Sequence, residues 1–164
     1  EQAAASEAKV DALRNRKGGD DRLVDIRDEM TLTMEEGAGI YRLEETMQAT
    51  CDKLEELRER FQTVQLDDSS SVYNMELFQM IELESMLETS RAMAHSAINR
   101  KESRGSHQRL DGFETRDDEK YLQHTLAYYR GDDVPSIEYE DVVITTSPPA
   151  ERVYGGPVED DSKK

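Results

Sequence analysis

The chain has no tryptophan and a single cysteine, Cys51, among its 164 residues. One thiol excludes an internal disulfide framework and fits a reducing compartment. There is no Cys-x-x-Cys, and His95, His107 and His124 lack the i, i+4 spacing of a helical zinc pair, so no metal site is expected. Basic residues are also scarce: 21 Lys and Arg stand against 37 Asp and Glu, a formal net charge of −16. That balance argues against nucleic acid, whose phosphates require a cationic face, and against an anionic membrane surface. No apolar run approaches the roughly 20 residues that cross a bilayer, so no direct membrane span is expected. The G-x-S-x-G pattern of a hydrolase elbow is missing, and Ser96 beside His95 or Ser103 near His107 reads as local composition. A glycine-rich phosphate loop following a strand is missing too. Gly37-Ala38-Gly39 follows a helical pattern and reads as a helix stop.

What remains is helical. Hydrophobic and charged residues each make up 35% of the chain, which predicts a modest core with polar appendages. Residues 1–19 form an N-terminal helix and linker, rich in Ala, Glu, Lys and Arg, with a thin stripe of Ala4, Val10 and Leu13. Residues 20–104 carry three helical stripes. Leu23, Ile26, Met30 and Met34 define the first. Leu43, Met47, Thr50 or Cys51, Leu54, Leu57, Phe61 and Val64 define the second, with the spacing of an antiparallel bundle face. Leu77, Met80, Ile81, Leu87, Ala94 and Ile98, with Met86 and Met93 alongside, define the third, from about Tyr73 to Lys101. Its C-terminal end is expected to project past the bundle. The fold class is therefore mainly α: a three-helix, spectrin-like antiparallel bundle followed by an extended segment, residues 105–164. In that segment Tyr121–Tyr129 and Ile137–Thr146 read as a small β-hairpin spanning 121–146, and Glu159–Lys164 as a frayed end.

Where the third helix stops, at Met93–Asp111, charges of both signs crowd around Arg104-Gly105. Interleaved acids and bases at a helix end suggest a paired docking elbow, with Gly105 supplying the positive φ that helix C-termini often use. The candidate docking residues are Arg100, Glu102, Ser103, Arg104, Gly105, His107, Arg109 and Asp111. They either pair with one another and a neighbouring surface, or Arg104 or His107 reaches a carboxylate-bearing ligand.

The stretch Arg100 to Asp111 resembles the R-x-E-S-R-G-x-H-x-R-x-D segment of the succinate dehydrogenase and fumarate reductase flavoproteins. Its R-x-E-S-R-G core is shared with L-aspartate oxidase. Met34 to Arg42, Ile26 to Met30 and Thr145 to Gly156 are similar to the bacterial fumarate reductase flavoprotein subunit in particular. The resemblance covers nearly the whole chain. It implies a C-terminal helical domain with no catalytic, cofactor-binding or metal-binding residue of its own. In the parent subunit, FAD and the dicarboxylate-binding residues belong to upstream flavin-binding and capping domains. The partners it implies are those domains and an iron–sulfur subunit, peripherally attached at the cytoplasmic side of the bacterial inner membrane. The first residue, Glu rather than Met, fits a piece of a longer chain. Two rivals remain: the same domain from succinate dehydrogenase or L-aspartate oxidase, and a free-standing acidic adaptor that binds a partner helix along Leu54, Leu57 and Phe61. A domain cut from an enzyme should show a bare patch around Ala94, Ile98 and the elbow; an adaptor should show an open groove along the second stripe.

Overall fold

The computed structural model describes residues 2–131 and 133–150. In chain order the elements are α1 (Gln2–Arg14), α2 (Leu23–Ala38), β1 (Tyr41–Arg42), α3 (Glu44–Phe61), α4 (Met75–Asn99), β2 (Gln108–Arg109), α5 (Asp118–Tyr121), β3 (Gln123–Tyr128) and β4 (Ser136–Asp141). The fold is mainly helical, with a small antiparallel pair β3–β4.

The core follows the stripes. Leu23, Ile26 and Met30 of α2 are buried against Met47, Cys51, Leu54, Leu57 and Phe61 of α3 and Leu77, Met80, Leu83, Leu87 and Ala94 of α4. Each fully buried Leu or Ile contributes about 1.5–3 kcal/mol relative to exposure. The ion pairs fix helix direction. Thr33 and Gly37 late in α2 meet Thr50 early in α3, whereas Glu29 meets Arg60 near the end of α3, so the two run antiparallel. Glu55 pairs with Arg91 and Arg58 with Glu88, which sets α4 antiparallel to α3. α1 is also part of this core: Leu13 is buried in it, Val10 packs on it, and Lys9 pairs with Glu84 of α4 at 2.8 Å. Four helices therefore contribute to the core.

Several local features depart from the sequence reading. α2 ends at Ala38 with Gly39 at its C-cap, within the expected Gly37-Ala38-Gly39 stop, but Gly37 is itself still helical. Gly37 is a packing residue: a Cβ there would lie 1.8 Å from Thr50 Oγ1 and 2.9 Å from the Thr46 carbonyl. Leu43 is exposed because it lies outside α3, at its N-cap position. Asn74 caps α4, its Oδ1 accepting from the Leu77 amide at 2.7 Å. Met86 and Met93 are exposed, and Leu83, Ser90 and Arg91 take the buried face instead. The end of α4 does not project bare. β3 and β4 pack on it, and the Tyr139 hydroxyl donates to the Asn99 carbonyl at 3.2 Å.

The hairpin pairs Gln123 with Asp141 and Tyr128 with Ser136, so β4 stops before the expected Thr146. Its connecting loop is tied to the helices, because Arg91 donates to the Asp133 carbonyl and Arg58 to the Gly131 carbonyl. Ahead of the hairpin lies the short helix α5, its N-terminus capped by Asp117. Glu151–Gly156 and the frayed end at 159–164 lie outside the described residues.

Candidate docking site

α4 stops at Asn99 because Arg100 turns extended (φ −87°, ψ 100°), its amide still donating to the Ser96 and Ala97 carbonyls. The Arg100 guanidinium then reaches across to β3. It donates to the carbonyls of Tyr121 (2.9 Å) and Gln123 (2.6 Å) and to Glu102 Oε1 (2.9 Å), and lies over the Tyr121 ring. Glu102 has 0% of its surface exposed. Its two oxygens accept from Arg100, from Arg104 Nε and Nη2 (2.8 and 3.0 Å), and from the Asp117 amide (2.9 Å). A carboxylate this deeply buried is tolerable because two cations and a backbone N–H meet it.

Gly105 has φ +60°, as the sequence suggests, but at a different place. It lies in a tight turn in which Arg104 and His107 exchange both backbone hydrogen bonds, at 2.9 and 3.1 Å, well beyond the end of α4 at Asn99. A positive φ at the first loop residue suits such a two-residue turn. The turn sends the chain back past the ends of α2 and α3. There β2 pairs in parallel with β1, Tyr41 opposite Gln108 and Arg42 opposite Arg109.

Ser103 donates to the Phe113 carbonyl and accepts from the Arg109 amide, both at 2.8 Å. Arg109, also 0% exposed, makes a bidentate pair with Asp111 (2.8 and 2.7 Å), donates to the Ile98 and Arg100 carbonyls, and faces the Phe113 ring. Asp111 in turn accepts from the Glu44 amide at 2.6 Å. The N-terminus of α3 thus obtains from 67 residues away the cap that Leu43 cannot supply. The Arg109 guanidinium holds the Asp111 carboxyl below the usual carboxylate range.

His107 joins the site to β1 through Arg42. Its Nδ1 lies 2.6 Å from Arg42 Nη1 and its Nε2 2.9 Å from the Arg100 carbonyl. A guanidinium only donates, so Nδ1 accepts and the ring proton sits on Nε2. Burial pushes the imidazole pKa down, and the cations Arg42, Arg109 and Arg100 push it the same way.

Seven of the eight elbow residues therefore belong to one hydrogen-bonded network, and Gly105 supplies its turn. The network ties together the ends of α2, α3 and α4 and the start of the hairpin. Arg42, Glu44, Asp117 and Asp118 belong to it as well, and the sequence reading missed them. Arg42 and Glu44 carried a usable signal, since both sit at a helix boundary whose own residue, Leu43, cannot cap. A second charged network was also missed: Arg91, 0% exposed, pairs with Glu55 (2.8 Å) and Glu88 (2.7 Å). Beside it His95 Nε2 is buried without a hydrogen bond, 3.6 Å from Glu55, and burial lowers its pKa.

The two exposure tests come out against both expectations. Ala94 is 0% exposed and belongs to the core rather than to a bare patch, because it follows Leu87 and Arg91 on the inner face of α4. The proposed adaptor groove is closed: Leu54 and Leu57 are 0% and Phe61 2% exposed.

The elbow is thus a self-paired charge network that links the ends of α2, α3 and α4 to the start of the hairpin. Residues 27–154 match the family described as fumarate reductase flavoprotein C-term, and the chain belongs to that family. It is 60% identical over 132 residues to the fumarate reductase flavoprotein subunit of Serratia sp. (strain ATCC 39006), covering 80% of this chain and 22% of that protein. With the Escherichia coli (strain K12) subunit the identity is 55% over 156 residues, 94% of this chain and 26% of that protein. A succinate dehydrogenase flavoprotein subunit from Rickettsia bellii is 30% identical over 154 residues, covering 90% of this chain and 26% of that one. Among solved structures, a variant of the E. coli quinol fumarate reductase FrdA chain superposes with a TM-score of 0.89 at 55% identity, over 95% of this chain and 27% of that chain. The chain thus spans about a quarter of the length of the curated relatives it matches. It is the C-terminal domain of a flavoprotein subunit of the fumarate reductase and succinate dehydrogenase type. Among the described residues no helix is long and apolar enough to cross a membrane.

Proposed function

We propose that this domain is a structural buttress of a fumarate reductase flavoprotein subunit, without catalytic residues of its own. In this reading FAD and the exchange of two electrons with fumarate or succinate belong to polypeptide outside these 164 residues. The three long helices act as an antiparallel, spectrin-like bundle with α1 closing one end. The elbow residues Arg100, Glu102, Ser103, Arg104, Gly105, His107, Arg109 and Asp111 present a rigid corner to the upstream flavin-binding and capping domains. The remaining surface faces an iron–sulfur subunit, in a complex held peripherally at the cytoplasmic side of the inner membrane.

The observation that carries this is the occupancy of the arginines. Arg104 is taken by Glu102 and Asp118, and Arg109 by Asp111. Guanidinium groups already saturated by this chain's carboxylates are suited to holding a shape and unsuited to capturing a dicarboxylate. The test is Arg104→Ala in the full-length subunit. The expected outcome is a reduced yield of assembled complex, with turnover per assembled complex unchanged. Intact assembly with abolished turnover would instead make Arg104 a ligand-binding residue.

A further inference from the structure

An open cavity of about 390 Å³ lies between the last turns of α4, the end of α2 and β3. Ala92, Met93, Ala97 and Ala127 give it an apolar wall, and its charged lining consists of Arg42 and Arg100, with the neutral His107 beside them and no Asp or Glu. In a chain with 37 acids and 21 bases such a lining is distinctive. Arg100 has its counter-ion in Glu102. Arg42 has none among the described residues. Its guanidinium donates to the Gly39 carbonyl (2.6 Å), the Ala38 carbonyl (2.9 Å) and His107 Nδ1 (2.6 Å), all uncharged. Two of the five N–H groups of its fork remain free. The charge is disfavoured there by burial and by the neighbouring Arg109. A half-buried cation without a counter-ion is stabilised by an incoming carboxylate.

We propose that this cavity is a docking socket for an acidic side chain, Asp or Glu, from the flavoprotein polypeptide that the relatives carry beyond the quarter matched here, its carboxylate pairing with Arg42. The proposal rests on the buttress reading and names the contact through which the domain is held. The apolar wall favours a side chain with an aliphatic stem over a small free dicarboxylate, whose second charge would be left against alanines and a methionine. The matched relatives carry polypeptide that could supply it, being about four times the length of this chain.

The experiment is zero-length carbodiimide crosslinking of the full-length subunit bearing Arg42→Lys, in its complex, followed by peptide mass spectrometry. The substitution replaces the guanidinium with an amine that the reagent joins to a carboxylate in contact with it. A link from position 42 to an Asp or Glu upstream of these 164 residues is expected. The native contact of Lys53 with Glu29, at 2.9 Å, is the internal control. If Lys53 is linked and position 42 is not, the socket is empty and the proposal fails. In the Arg42→Lys single variant, a link from position 42 to an acid of this domain, to another subunit or to a second copy also overturns it. A second variant, Ala92→Glu in the Arg42→Lys background, puts a carboxylate into the cavity and should reduce the upstream link several-fold. An undiminished link would place the partner outside the cavity. The Arg104→Ala assay reads a different contact, so loss of the position-42 link with a normal Arg104 result rejects the socket alone.

Discussion

Glu102→Gln keeps the shape of the most deeply paired side chain in the elbow and removes its charge. The carboxylate accepts four hydrogen bonds at 2.8–3.0 Å, from Arg100, twice from Arg104, and from the Asp117 amide. An amide has one acceptor oxygen and a donor NH2. With the oxygen in the Oε1 position, Arg100 and Arg104 Nε keep their partner, while Arg104 Nη2 and the Asp117 amide face another donor. Breaking a buried ion pair from one side costs about 3–5 kcal/mol. Here Arg104 retains Asp118 at 2.6 Å and Arg100 retains two carbonyls, which places the loss at the lower end, about 3 kcal/mol. For a domain of this size that corresponds to a fall in Tm of about 6–12 °C. Thermal unfolding of the purified chain, followed by far-ultraviolet circular dichroism, measures it. The exposed Glu45→Gln is the control and should stay within about 0.5 kcal/mol. A Glu102→Gln loss below about 1 kcal/mol would refute the view that this buried carboxylate holds the joint together.

Two glycines separate steric from backbone effects. Gly37→Ala puts a methyl group into α3 and should cost about 1–3 kcal/mol, whereas Gly105→Ala meets open space and should cost about 1–2 kcal/mol from its φ of +60° alone. Denaturant midpoints of the double variants with Thr50→Ala would show the split, because removing the Thr50 Oγ1 that lies 1.8 Å from the added methyl should relieve part of the Gly37 defect and none of the Gly105 one. For pH, Glu29 accepts from Arg60 and Lys53, and those hydrogen bonds pull its pKa from 4.5 down to about 2. The charged form is favoured in the folded state, so this contribution is complete above pH 4.5 and is lost as pH falls towards 2. Between those values the wild-type midpoint should drop more steeply than that of Glu29→Gln; parallel curves would show that Glu29 is not coupled to folding.

The periodic parts of the fold were legible because one physical rule sets them. Ile26, Met30, Met47, Leu54, Leu57, Phe61, Leu77, Met80 and Leu87 are buried where a helical period puts them. The rule failed where packing depends on a partner from elsewhere in the chain. Arg91 occupies an inward position that hydropathy assigns to solvent, and acids from α3 and its own helix, with the Asp133 carbonyl, make it tolerable. Gly37 looks like a helix stop in isolation, yet the approach of Thr50 requires it inside the helix. Leu43 continues the stripe of α3 by spacing but falls outside the helix, which takes its cap from Asp111. In the elbow, the density of mixed charge marked residues that the structure joins in one hydrogen-bonded network. Who pairs with whom depended on the two-residue strands β1 and β2, too short for any alternation to reveal.

The location of the redox chemistry is tested most directly by mixing the purified 164-residue chain with FAD, desalting it, recording its visible spectrum and assaying fumarate reduction. A colourless protein that does not turn over fumarate is the expected result. A retained flavin absorption band, or measurable reduction of fumarate by the chain alone, would contradict it.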